Sequence, residues 1–122
     1  MNGYILDSSF VSAFCNANDS NHDTALEIAK EFNLLFPILI PVVVFAEISR
    51  IPYSKLREKA LDLCFETLDC MLELEESDIE GYLDFPKSLP NSYTAIDSLL
   101  LYFASTYGCK LVTFDKGLLR LV

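Results

Sequence analysis

Four carboxylates in this 122-residue chain sit where carboxylates are expensive or where ligands collect. Asp7 directly follows the apolar run Tyr4-Ile5-Leu6, and Asp115 follows Lys110-Leu111-Val112-Thr113-Phe114. Glu47 is the one acid in the apolar stretch Val42 to Ile48, and Asp97 comes early in Thr94-Ala95-Ile96-Asp97-Ser98-Leu99-Leu100-Leu101. An ionised acid in an apolar segment costs several kcal/mol unless it is paired or bound to a metal. With nine Lys and Arg against eighteen Asp and Glu, pairing cannot serve them all. Convergent carboxylates without His or Cys are hard oxygen ligands, suited to Mg²⁺ or Mn²⁺. Such an ion lowers the pKa of a bound water and neutralises charge developing on a phosphate, the chemistry of phosphodiester hydrolysis. Two divalent ions would bring the formal charge from −9 to −5 and place that change at the substrate.

Each acid taken singly has a plainer reading. Asp7 and Asp115 suit turns or helix N-caps. Glu47 can pair with Arg50 at i+3, and Asp97 can favour the first turn of its helix through the macrodipole. Glu73, Glu75, Glu76, Asp78 and Glu80 read as a solvated face. The first four are set apart by their joint placement at one sheet edge and the helices beside it.

The elements that must position them alternate between strand and helix. Tyr4–Leu6 and Ile38–Ile40 read as buried strands, and Lys110–Phe114 as the last strand. A helix begins around Phe10, with Ser8 or Ser9 near its N-cap, and Asn16 to Asn21 is a turn cluster. His22 to Leu34 carries Ala25, Ile28, Ala29 and Phe32 at helical spacing. Pro41 fits the first turn of the Val42–Ile48 helix. Ser54 is placed to cap a helix running to about Cys70, Leu72–Glu75 alternates like a strand, and Asp78–Phe85 reads as a short helix. Pro86 to Pro90 is a turn, and a long apolar helix runs from Ser92 to Tyr107, ended by Gly108. Strands alternating with helices indicate a parallel sheet covered on both faces: a single-domain, three-layer α/β/α sandwich over residues 1–122.

Composition narrows the class. Hydrophobic residues make up 52 %, including nine Phe and six Tyr, which excludes disorder. The acidic balance excludes a basic patch that holds nucleic acid by charge alone. Cys15, Cys64, Cys70 and Cys109 form no C-x-x-C pair and His22 stands alone, which argues against structural zinc. No basic n-region precedes the first apolar run, and the longest apolar run, Leu34 to Ala46, is broken by Pro37 and Pro41. The expectation is a cytoplasmic protein without a membrane segment, its thiols reduced and unbridged.

In this order and spacing, Tyr4-Ile5-Leu6-Asp7-Ser8-Ser9, Ile40-Pro41 with Glu47, Asp97-Ser98-Leu99-Leu100-Leu101-Tyr102-Phe103-Ala104 and Leu111-Val112-Thr113-Phe114-Asp115 resemble the PIN domain. The likeness is to the small prokaryotic members, such as the VapC-type toxins of toxin–antitoxin pairs, and it covers essentially the whole chain. The resemblance implies a PIN-like fold and a ribonuclease in which Asp7, Glu47, Asp97 and Asp115 bind Mg²⁺ or Mn²⁺ and carry catalysis. Ser9 and Thr113 would be supporting hydroxyls that orient carboxylates or water. It also implies an RNA substrate and a cognate antitoxin. Two features depart from the pattern: a short, proline-broken segment before Asp97, and a surface more acidic than RNA binding suggests. Lys116 and Arg120 follow Asp115 closely enough to hold a phosphate, although the plainer reading of both, and the favoured one, is a solvated surface.

Two other classes compete with the nuclease. A PIN-like scaffold that binds a partner protein or RNA would suit the acidic surface and the mean hydropathy of +0.30, which also suggests a homodimer. A phosphorylatable receiver domain would need paired acids at the first strand and an Asp ending a central strand. Asp7-Ser8-Ser9 has no acidic neighbour, and no mid-chain strand ends in Asp.

Overall fold

The computed structural model describes residues 1–85 and 94–119. Its four strands are β1 (Tyr4–Leu6), β2 (Ile38–Pro41), β3 (Cys70–Leu72) and β4 (Lys110–Val112). Its helices are α1 (Ser8–Cys15), α2 (His22–Lys30), α3 (Val42–Ile48), α4 (Ser54–Thr67), α5 (Ile79–Asp84), α6 (Ala95–Tyr107) and α7 (Lys116–Leu119), with a 3₁₀ turn at Glu76–Asp78 leading into α5. All strand pairs are parallel and the sheet order is β3-β2-β1-β4. The chain therefore steps from β1 to β2 to β3 in one direction and then returns across the sheet to β4. Right-handed crossovers put α1 to α4 on one face and α5 and α6 on the other, the three-layer arrangement of a PIN-like α/β fold. Packing of α1 against α2, α3 and α4 fits that division.

β1 is apolar throughout and buried at every position, as a central parallel strand must be. Ile5, Ile40, Val44, Ile48, Leu100 and Phe103 are fully enclosed between the layers. Gly108 ends α6 in the left-handed region at φ 65°, which L side chains rarely adopt.

Several element boundaries differ from the sequence expectation, each for a local reason. α1 starts at Ser8 because Asp7, not Ser8 or Ser9, is its N-cap and accepts the Ser8 N–H. α2 stops at Lys30, not Leu34, because the Asn33 side chain accepts the Leu35 N–H in a turn ahead of Pro37. Pro41 closes β2 as the N-cap of α3 instead of lying in its first turn. Ser54 is the first residue of α4, whose N-cap is Tyr53. α4 ends at Thr67, short of Cys70, because Asp69 is drawn into the sheet: its carboxylate accepts the Ile38 N–H at 2.7 Å and its own N–H donates to the Ile38 carbonyl at 2.8 Å. β3 accordingly begins at Cys70, before the alternating Leu72–Glu75 segment. α6 is capped by Thr94 and begins at Ala95. Asp78 is buried, not solvated. The expected turn from Pro86 to Pro90 and the chain end beyond residue 119 lie outside the described residues.

Candidate active site

Parallel register aligns Leu6 with Val112, so the residues that follow, Asp7 and Thr113, emerge side by side at the carboxyl edge of the sheet. β1 connects onward toward β2, whereas β4 arrives from the opposite edge. The gap between them is thus the point where strand order reverses, the place where open α/β sheets bind ligands.

Asp7 is only 5 % exposed, and the fold satisfies it thoroughly. Oδ1 accepts the Ser8 N–H at 2.8 Å, while Oδ2 accepts the Ser9 Oγ at 2.9 Å and the Thr113 Oγ1 at 2.7 Å. The two hydroxyls in turn accept the N–H groups of Phe114 and Asp115, each at 3.0 Å. Two short relays therefore run from the loop after β4 through Ser9 and Thr113 to one carboxylate oxygen. They fix its orientation and tie that loop to the start of α1.

Glu47 is held from the neighbouring helix. Ser8 Oγ donates to its Oε1 at 3.0 Å, so its partner is Ser8 in place of the Arg50 pairing considered above. Burial pushes the Glu47 carboxyl above its ordinary value; the Ser8 bond opposes this, and the charges of Asp7, Asp97 and Asp115 add to the rise. Asp97 lies in the first turn of α6, where it forms a capping box with Thr94: the Thr94 N–H donates to Asp97 Oδ2 at 3.2 Å, and the Asp97 N–H to Thr94 Oγ1 at 3.1 Å. Asp115 is exposed and accepts the Leu118 N–H at 3.3 Å, at the start of α7. Asp115 therefore caps its helix and Asp97 occupies the first turn of α6, as their plainer readings had it, and the charge of each still reaches Glu47. Lys116 is exposed beside them, and Arg120 lies outside the described residues.

The sequence offered Ser8 only as a helix cap and missed its bond to Glu47, although a hydroxyl one residue after Asp7 at a helix start is the available signal. Which acid it would reach depends on where α3 lies.

Four carboxylates from four segments thus share one field, with oxygen donors alone. Among the described residues no three His, Cys, Asp or Glu side chains stand close enough to share one bare ion. Burial is the chief cause of the upward push on Glu47, and the charges of the other three acids add a smaller part that a cation would relieve.

The sequence matches the PIN domain family across residues 4–122. The chain belongs to the PIN domain family. Among solved structures, this PIN domain shares its fold with Mycobacterium tuberculosis VapC20, described as a sarcin-ricin loop cleaving toxin. That likeness has a TM-score of 0.80 at 17 % identity and covers 98 % of this chain and 95 % of the other. It also resembles VapBC2 from Rickettsia felis, solved bound to a DNA fragment from its promoter, at TM-score 0.66 and 20 % identity over 96 % and 91 % of the two chains. A protein of Pyrobaculum aerophilum matches at TM-score 0.58 and 16 % identity, over 97 % and 83 %. No curated protein matches the sequence closely enough to count as a relative.

Proposed function

We propose that this PIN domain is a metal-dependent endoribonuclease, the toxin of a toxin–antitoxin pair. What supports the reading is that Asp7 and Asp115 follow the two strands flanking the strand-order reversal, and that the charges of Asp7, Asp97 and Asp115 all reach the half-buried Glu47. In this reading those four residues hold Mg²⁺ or Mn²⁺. When bound, the ion supplies charge neutralisation at the scissile phosphate and activates water. Asp7 contributes a carboxylate whose direction is fixed by Ser8, Ser9 and Thr113, so it reorganises little when charge develops nearby. Ser8 keeps Glu47 turned toward the other three acids. Asp115, exposed beside Lys116, lies at the rim where an RNA backbone would enter.

The likeness to VapC20 and VapBC2 supports the toxin reading and with it a cognate antitoxin. Exposed apolar side chains, among them Leu34 at 91 %, Leu35 at 90 % and Phe65 at 62 %, favour a covered surface, through a homodimer or that antitoxin. The same residues favour the second reading, a PIN scaffold that binds a partner without cleaving RNA. No helix among the described residues is long and apolar enough to cross a membrane.

The deciding experiment is cleavage of a mixed panel of labelled RNAs by purified protein with Mn²⁺, with Mg²⁺ and with EDTA, beside Asp97→Asn prepared identically. Cleavage that needs metal and disappears in the variant is expected. Cleavage that survives both EDTA and Asp97→Asn refutes the assignment. No cleavage together with no effect of Mn²⁺ on the melting temperature transfers the case to the scaffold.

A further inference from the structure

Asp78 is a buried carboxylate outside the four acids, 9 % exposed, and it is held by one helix along its length. Its Oδ1 accepts the Tyr102 hydroxyl at 3.2 Å; its Oδ2 accepts the Tyr107 hydroxyl at 2.9 Å and the Glu75 N–H at 3.2 Å. One carboxylate therefore grips two phenols five residues apart on α6. Burial first, then the bond to Asp78 and its charge, push the Tyr107 phenol up to about 12, so it remains a donor across the working pH range.

α5 continues the grip toward the other end of the same helix. The Tyr82 hydroxyl donates to the carbonyl of Ala95, the first residue of α6, at 3.3 Å. The rings of Tyr82 and Phe85 stand edge-on to Tyr102, at centroid distances of 5.7 and 5.8 Å. Gly81 lets the two elements close up, since a Cβ there would lie 3.2 Å from the Tyr102 hydroxyl. The segment from Glu76 to Phe85 thus holds α6 at Ala95, Tyr102 and Tyr107, a span of about 18 Å at the helical rise per residue.

The remaining contacts of α6 are largely apolar, through Leu100, Leu101 and Phe103. Apolar burial is non-directional and tolerates a small slide or rotation. Two phenols that must each meet one oxygen of a single acid do not. The best-attested use of a buried charged group is this kind of registry.

We propose that Asp78 is a positioning residue: through Tyr102 and Tyr107 it sets the register of α6 and hence the place of Asp97 among the four acids. The inference rests on the metal-site reading above. It predicts that Tyr107→Phe, which keeps the ring and loses one hydroxyl, weakens Mn²⁺ binding about three- to tenfold, below the roughly 10–100-fold of groups that touch the ligands directly because Tyr107 acts at one remove. Asp78→Asn should do the same or more.

The test titrates Mn²⁺ by electron paramagnetic resonance at 20 °C, far below unfolding, with far-ultraviolet circular dichroism to confirm the fold. Separate kcat and KM values for a cleaved RNA accompany it. The expected pattern is weaker Mn²⁺ binding and lower kcat at unchanged KM, with Tyr107→Phe folded. If both variants melt lower yet bind Mn²⁺ and turn over like wild type, the clamp only stabilises the fold and the proposal is overturned. If wild type itself binds no Mn²⁺, the metal-site reading has failed first and takes this inference with it.

Discussion

Replacing Thr113 with Val isolates one of the two hydroxyl relays that hold Asp7. Val keeps nearly the volume of Thr at this 6 % exposed position, so no cavity opens and the change is chiefly the loss of one hydroxyl. That hydroxyl donates to Asp7 Oδ2 at 2.7 Å and accepts the Asp115 N–H at 3.0 Å. A hydrogen bond to an ionised group contributes about 1.5–3 kcal/mol and a neutral one about 0.5–1.5 kcal/mol. The bond from the Asp115 N–H is the neutral, weaker one, so the second loss is the smaller. The expected destabilisation is about 2–3 kcal/mol, or a fall of about 6–15 °C in Tm for a chain of this size. Thr113→Ser should restore most of it. Ser9→Ala removes the second donor from the same oxygen, leaving a buried anion with neither hydroxyl. The double variant should therefore lose about 1 kcal/mol more than the sum of the singles, read from urea unfolding in a double-mutant cycle. A Thr113→Val protein within about 0.5 kcal/mol of wild type, or strict additivity, would refute the relay argument.

Other perturbations probe the site and the frame separately. The folded Glu47 carboxyl is raised above its ordinary 4.5, so the native state binds that proton more tightly than the unfolded chain. Metal-free stability should therefore fall as pH rises from that value through the raised one. Glu47→Gln should flatten this slope and be the more stable protein at pH 7 without metal; a slope unchanged in urea melts at several pH values counts against it. Mn²⁺ at about 100 times its Kd should stabilise wild type by about 2.7 kcal/mol, reversibly with EDTA and less in Asp115→Asn, as followed by calorimetry. Gly108→Ala forces a Cβ into the left-handed region and to 3.0 Å from Asn2 Nδ2, and should cost about 1–2 kcal/mol by chemical denaturation without altering Mn²⁺ affinity.

Local chemistry made much of this protein legible in one dimension. The apolar runs at Tyr4 and Ile38 had to be strands, the first buried throughout and the second half-buried at Ile38 and Leu39. Val42 to Ile48 read as an apolar helix whose one acid needed a reason, and Gly108 had to end a helix. These follow from hydrophobic periodicity and from backbone sterics, which act over a few residues. Element ends were less legible where a side chain from elsewhere competed: α4 stops at Thr67 because Asp69 bonds Ile38, thirty-one residues away.

The tertiary structure alone decided which groups meet. Asp78 stands in a run of acids that reads as a solvated face, yet folding buries it against two tyrosines from α6. Ser8 and Ser9 are adjacent serines in the sequence, but the helix that begins there turns one toward Glu47 and the other toward Asp7. Asp7 and Thr113 are 106 residues apart and share a hydrogen bond because β1 and β4 pair in parallel with Leu6 opposite Val112. A side chain's own chemistry is written in the sequence, but its partner is set by strand order and register, which depend on the packing of the whole chain.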